Sequence, residues 1–382
     1  MTGPLQGIRV IEIAGLGPAP FAAMVLADLG ADVVTVDRVD RVLPGADPSG
    51  QAGNVTARGR RSVAVDLKHL DGVAVVHRLA AGADVLIEGF RPGVAERLGI
   101  GPDVLRATNP RLVVGRMTGW GQDGPLAARA GHDINYVALA GPLAHIGRAG
   151  QPPTPPLNLL GDFGGGGLLL VTGVLAALVE RSVSGEGQVV DAAMVDGAAL
   201  LSAPIAPAYT MGYFSAERGT NALDSGAPYY DCYECADGRW LSVGAIEPRF
   251  YRAFVEGLGL DPDGLPPQDD QEAWPTLKEW FGRVIRTRPL VEWVEVYEGI
   301  DACVAPVLGF SEVVEHPHIA ARGTWVDRGG VVQPSPAPRF DRTPAALDLP
   351  PSVPGQHTDE VLLEAGVDRD GISALRAAGA VA

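Results

Sequence analysis

The sequence predicts an α/β protein: an N-terminal doubly wound, Rossmann-like domain joined to a smaller α+β domain. Three observations predict it. Short β-branched apolar runs alternate with alanine- and leucine-rich stretches of helical length through the first half of the chain. A glycine turn, Gly15 to Gly17, joins the first such run to the first helical stretch. Beyond about residue 225 the texture changes to paired strand signals around an Asp-Gly turn.

Residues 7–13 (GIRVIEI) read as a buried strand, 18–29 as a helix and 31–37 (ADVVTVD) as a second strand, which together make a βαβ unit. The alternation continues through VAVDL (63–67), VAVVHRLAAGA (73–83), DVLIEG (84–89) and LVVGRMTG (112–119). A glycine run at 164–167 opens LLLVTGVLAALVERS, long and apolar enough for a buried helix, and GQVVDAAMVDGAALLSA carries a strand into a helix. YYDCYECADGRWLSVGAIE reads as two strands across Asp237-Gly238. The expected limits are 1–192 for the large domain, completed by 336–382, with 193–226 as linker, 227–314 as the small domain and 315–335 as return linker. The proline-rich stretches 151–156 and 335–355 read as stiff loops.

With 382 residues, 46% of them hydrophobic and 20% charged, the chain is neither disordered nor fibrous and suits two domains. A net charge of −16 argues against a nucleic-acid partner, since phosphate backbones are bound through basic surfaces. A local basic set, Arg38, Arg58, Arg60, Arg61, Arg91 and Arg97, could still hold a small polyphosphate, with scattered solvated arginines as the equally open reading. Three cysteines make no disulfide framework, and Cys232-x-x-Cys235 with Cys303 falls short of a zinc set, so a reducing compartment and no metal are expected. No run approaches the roughly 18 unbroken apolar residues of a membrane span, no leader pattern is evident and the end reads Ala-Val-Ala; the expectation is a cytoplasmic protein with no membrane partner.

Gly15-Leu-Gly17-Pro-Ala-Pro20 followed by Asp37 imitates a dinucleotide fingerprint. It departs from one at Pro20, where a third glycine should stand, and at Arg38, which follows the acid. A nicotinamide enzyme is therefore kept only as an alternative.

The segments LADLGADVVTVDR, ARGRRSVAVDLK, EGFRPGVAERLGIG, MTGWGQDGP, GHDINY, NLLGDFGGGG and GQVVDAAMVDG, with VGAIEPRF and PPSVPGQHTDEVL further on, resemble the family III CoA-transferase (CaiB/BaiF) superfamily, and within it the α-methylacyl-CoA racemase branch. The resemblance runs over nearly the whole chain. It implies an interlocked homodimer whose sites draw on both subunits, an acyl-CoA substrate, and no cofactor beyond the coenzyme A that the substrate carries. It also places the nucleotide on the large domain, with Arg38, Arg58, Arg61 and Arg91 near its phosphates.

Inverting a carbon next to a thioester carbonyl needs a base on one face, an acid on the other and a donor for the enolate oxygen. His132 is the natural base, because an imidazole titrates near neutral pH, although a lone histidine is more often structural. Asp162, ahead of a helix, reads by itself as a cap. The resemblance makes Asp162 the opposing acid/base, pairs His132 with Glu247 of the other subunit, and offers the N–H of Asp133 to the enolate, while the Asp133 side chain reads as a helix cap. Asn158 is expected to hold the histidine and Tyr230 to lie near Asp162. The alternative within the family is a CoA-transferase in which Asp162 attacks the thioester as nucleophile.

Overall fold

The computed structural model describes residues 2–43, 45–347 and 349–382. They form two compact units, one made of the chain up to Ala140 with Leu157–Leu201 and His318–Ala382, the other of Gly141–Pro156 and Ser202–Pro317. The first is built on β1 (Arg9–Ile13), β2 (Asp32–Asp37), β3 (Arg60–Ala64), β4 (Val85–Glu88), β5 (Val113–Thr118) and β6 (Val189–Ala193). All run parallel in the order β3-β2-β1-β4-β5-β6, which reverses direction between β1 and β4 as in a doubly wound sheet.

Alternate residues of each strand face opposite sides, so the two cores can be read from the strands. Val10, Val33, Val85, Ile87 and Val113 face one core with α1 (Pro18–Asp28). Ile11, Ile13, Val34, Val36, Leu86 and Val114 face the other with α2 (Leu70–Ala81), α3 (Val94–Arg97) and α4 (Pro102–Thr108). With both faces covered the strands must be apolar throughout, and each fully buried Val or Ile contributes about 1.5–3 kcal/mol. The first face also receives α5 (Asp133–Ala140), α6 (Leu169–Ser184) and α7 (Met194–Leu201) through Tyr136, Leu170, Val174 and Met194.

In the second unit β7 (Tyr230–Glu234), β8 (Trp240–Gly244) and β9 (Val304–Pro306) make an antiparallel sheet. The unit also holds α8 (Ala206–Thr210), α9 (Pro248–Gly257), α10 (Trp274–Ile285) and α11 (Leu290–Val296). Its core is aromatic, with Phe254, Phe281 and Trp293 fully buried. After α12 (Pro317–Arg322) come the hairpin β10 (Trp325–Arg328) and β11 (Val331–Pro334), then α13 (Thr358–Glu364) and α14 (Arg369–Ala377), whose Val361, Leu362 and Ile372 close the core over β3.

Four expectations are corrected. β3 begins at Arg60 rather than residue 63, because Arg60 and Arg61 are strand residues neutralised by internal carboxylates. Residues 141–156 group with the second unit although they interrupt the large domain. The stretch 315–335 is not a plain return linker, since it carries α12 and a hairpin. The glycine run does not open a helix either: Leu159–Leu168 is π-helical and runs directly into α6. The joined helix Leu159–Ser184 is, by length and composition, apolar enough to cross a membrane, which a reading that breaks it at the glycines misses. Its buried residues pack on β5, β6 and α1.

Candidate active site

Asp162 lies in the first turn of the π-helical segment, a rare geometry that widens the helix and often marks functional sites. Its glycines let neighbours approach. A Cβ on Gly165 would stand 2.8 Å from Ala198 N, one on Gly166 2.9 Å from the Met194 side chain and one on Gly167 2.5 Å from the Phe21 ring. On α7, a Cβ on Gly197 would overlap the Gly165 carbonyl. Gly17, at the amino end of α1 with φ of 71°, points its missing side chain at the Asp162 carboxylate, 3.6 Å away. The glycine turn after β1 therefore borders this carboxylate, at the strand ends where open α/β sheets bind ligands.

Asn158 donates its side-chain N–H to Asp162 Oδ2 at 3.1 Å. Asn158 was expected to hold the histidine; the side-chain bond found among the described residues is to the aspartate, because the helical turn sets residues four apart on one face.

His132 immediately precedes α5 and is exposed. Its backbone is fixed by a reciprocal cap, in which His132 N–H donates to Asn135 Oδ1 at 3.0 Å while Asn135 N–H donates to the His132 carbonyl at 2.8 Å. Asp133 follows, and its side chain turns away from its own helix. Asp133 Oδ1 accepts the N–H of Asp162 at 2.7 Å, so this side chain caps the π-helical segment. Gly161 makes room, since a Cβ there would come within 2.5 Å of Asp133 Oδ1. Burial pushes the Asp133 carboxyl above its ordinary range, the N–H groups of Asp162 and Gly161 oppose that, and the charge of Asp162 adds to it. One hydrogen bond thus joins the segments carrying His132 and Asp162.

Tyr136 was not singled out by sequence reasoning. Its ring packs edge-on to Trp120 at 4.7 Å, and Cβ atoms on Gly119 or Gly131 would overlap it. Burial raises its phenol pKa, the Asp162 charge adds to this and Arg91 opposes it, which places the tyrosine in the field of both. The available signal was the glycine that opens GHDINY, Gly131, together with Gly119 of MTGWGQDGP.

Glu247 and Tyr230 belong to the second unit. Glu247 is the residue before α9, is exposed, and makes no side-chain cap. Tyr230 opens β7 opposite Gly244, where a Cβ would meet the Tyr230 ring at 3.9 Å.

The four arginines expected at the phosphates divide. Arg58 is buried and bonded to Asp28 at 2.6 and 3.0 Å, Gln333 at 2.9 Å and the Pro334 carbonyl at 2.8 Å. Arg61 meets Asp32, Glu360 and Glu364 at 2.7–3.0 Å. Both are committed to the fold, because a guanidinium buried beside carboxylates is neutralised internally. Arg38 is exposed and pairs with Asp40, and no described residue pairs with the exposed Arg91 guanidinium.

The sequence pattern of CoA-transferase family III matches residues 5–358. Alpha-methylacyl-CoA racemase of Mus musculus is 48% identical over 372 residues, covering 96% of this chain and 95% of its own length. That of Homo sapiens is 47% identical over 371 residues, with 96% and 95% covered. The crystal structure of a CaiB/BaiF family protein from Brucella suis superposes with a TM-score of 0.82 at 25% identity, covering 96% of this chain and 100% of that one. This chain belongs to CoA-transferase family III.

Proposed function

We propose that the protein is an isomerase that interconverts the (2R) and (2S) forms of 2-methylacyl-CoA thioesters by proton transfer through an enolate. The observation that carries this reading is the bond from Asp162 N–H to Asp133 Oδ1, which ties an acid/base carboxylate to the helix whose preceding residue is a histidine. The identity of nearly half to two racemases along almost the whole chain supports it.

In this mechanism His132 removes the α-proton of one epimer and protonated Asp162 delivers a proton to the opposite face; the other epimer reverses the roles. Each positioned acid or base is worth about 10²–10⁴ in rate. The Asp133 N–H is the donor for the enolate oxygen, since the first N–H groups of a helix have no acceptor within it, and one such donor is worth roughly 2.7–4 kcal/mol. Glu247 of a second copy orients His132 and balances its charge. The chemistry asks for no metal or redox cofactor.

The pantetheine-linked nucleotide meets Arg91 and Arg38, the two exposed cations of the expected four. A second copy covers the apolar side chains that the first unit leaves in solvent, among them Leu159, Leu168, Val179, Val183, Leu200 and Leu201. Three free thiols fit a reducing, cytoplasmic setting.

The test is incubation of one epimer of a 2-methylacyl-CoA in deuterated water without any acid acceptor. Deuterium at carbon 2 with drift toward an equal mixture is the expected result. Absence of exchange, with coenzyme A passing to an added carboxylic acid, would replace this reading by a transferase with Asp162 as nucleophile.

A further inference from the structure

We infer that Gln268 is a positioning residue for the Glu247 carboxylate; this rests on the reading that Glu247 works with His132. No described residue hydrogen-bonds or ion-pairs with the Glu247 carboxylate, so its placement depends on the backbone that presents it. That backbone is the turn from the end of β8 into α9, residues 245–247, and a single side chain grips it. The carboxamide nitrogen of Gln268 donates to the Ala245 carbonyl at 3.3 Å and the Ile246 carbonyl at 2.7 Å.

Gln268 is itself anchored. Its own carbonyl accepts the indole N–H of the buried Trp274 at 2.9 Å. The Trp274 ring stands edge-on to Tyr229 with centroids 5.8 Å apart, and the Tyr229 carbonyl accepts the Ala245 N–H at 2.9 Å. Trp274, Gln268, the 245–246 turn and Tyr229 thereby form a closed ring of contacts. On the far side of Glu247 its carbonyl accepts the N–H groups of Phe250 and Tyr251 at 2.9 and 3.0 Å. The main chain is fixed on both sides of the glutamate, which leaves only side-chain torsions free.

The residue type follows from the chemistry. Two carbonyl oxygens need two N–H donors from one uncharged group of this length, and a glutamine carboxamide supplies both. A glutamate would set a carboxylate against the two carbonyls, and a methionine would fill the volume without donating. Misplacing a reacting group by about 1 Å costs up to 10²-fold in rate, so the grip matters to catalysis without touching substrate.

The experiment compares wild type, Gln268→Met, Gln268→Glu, Glu247→Gln and the double variant Gln268→Met/Glu247→Gln in the deuterium-exchange assay. Each protein is assayed well below its own melting temperature, so that a loss of fold is read separately. The expected result is a kcat reduced about 10- to 100-fold in both Gln268 variants with KM within about twofold. In the Glu247→Gln background the Gln268→Met change is expected to cost less than about twofold, because what it positions is already gone. An unchanged kcat, an effect on KM alone, or a full additional loss in the double variant overturns the inference. If wild type exchanges no α-proton, the racemase reading falls with it; if wild type exchanges and the Gln268 variants match it, only this inference falls.

Discussion

In the proposed mechanism Asp133 does two jobs with different atoms, and substitutions separate them. Its side chain accepts N–H groups from Gly161 and Asp162, while its second carboxyl oxygen is buried without a partner among the described residues. The burial that raises its pKa makes a neutral group acceptable there. Asp133→Asn keeps an oxygen for the two donors and is expected to change stability by less than about 1 kcal/mol, with most of the activity retained. Asp133→Ala leaves the donors unsatisfied, at a cost of about 1–3 kcal/mol, and loosens Asp162. Urea denaturation and the exchange assay check both; equal losses in the two variants would contradict the capping role. His132 and Asp162 could be singled out in the sequence, the first from its residue type and the second from the motif around it. What the sequence could not show was the direction of the Asp133 side chain, which turns from its own helix to another, or that Asn158 holds Asp162, because a motif states neighbours along the chain and not across it.

The π-helical segment makes its own prediction, since α1 and α7 reach it only through absent side chains. Gly197→Ala puts a methyl group into the Gly165 carbonyl, and backbone cannot yield as a flexible side chain does. The expected destabilisation is about 3 kcal/mol or more, at the upper end for overpacking, with loss of activity as Asp162 shifts. Gly164→Ala is the control: its methyl would meet Leu159 O at 3.1 Å and Leu201 Cδ1 at 3.3 Å, and a small shift together with better helix propensity holds the cost below about 1 kcal/mol. Thermal unfolding of the two variants should rank them far apart. Elements built on local periodicity, such as β1, α1 and β2, could be read directly because alternation and helix length are local properties. Glycines at 164–167 read as a break, because their compensation is the close approach of α1 and α7. β3 was displaced for a related reason: Arg60 and Arg61 look solvent-directed until the carboxylates of Glu12, Asp32 and Glu364 are brought to them.

At the scale of the whole molecule the C-terminal segment completes the first unit, and its attachment is expected to weaken as pH falls. His357 Nδ1 accepts the Ser62 N–H at 3.1 Å, and burial holds the imidazole pKa below its ordinary 6.5, with Glu360 opposing and Arg61 reinforcing that. The unfolded chain takes up this proton first as pH falls. The contribution is therefore fully present above about pH 6.5 and is lost as pH drops through the lower folded value. Melting temperature should fall from pH 7 to 5 more in wild type than in His357→Gln, which cannot titrate; parallel curves would remove His357 from the account.

The origin of Glu247 is decided by complementation between two impaired chains. In the proposed dimer, co-expressed His132→Ala and Glu247→Gln chains assort so that about half of the pairs are mixed. If Glu247 serves the His132 of the other copy, a mixed dimer has one site carrying both substitutions and one carrying neither. The intact site restores full turnover, so the assorted population should show about a quarter of wild-type activity, well above the residual activity of either variant alone. If instead each chain supplies its own pair, every site in the mixed dimer lacks one member and no activity returns. Sedimentation is expected to show two chains per particle in both cases, since the proposed second copy covers the exposed apolar side chains of α6 and α7 whichever way the pairs are built. Activity returning with assortment would place Glu247 across the subunit boundary and make each site depend on a second chain.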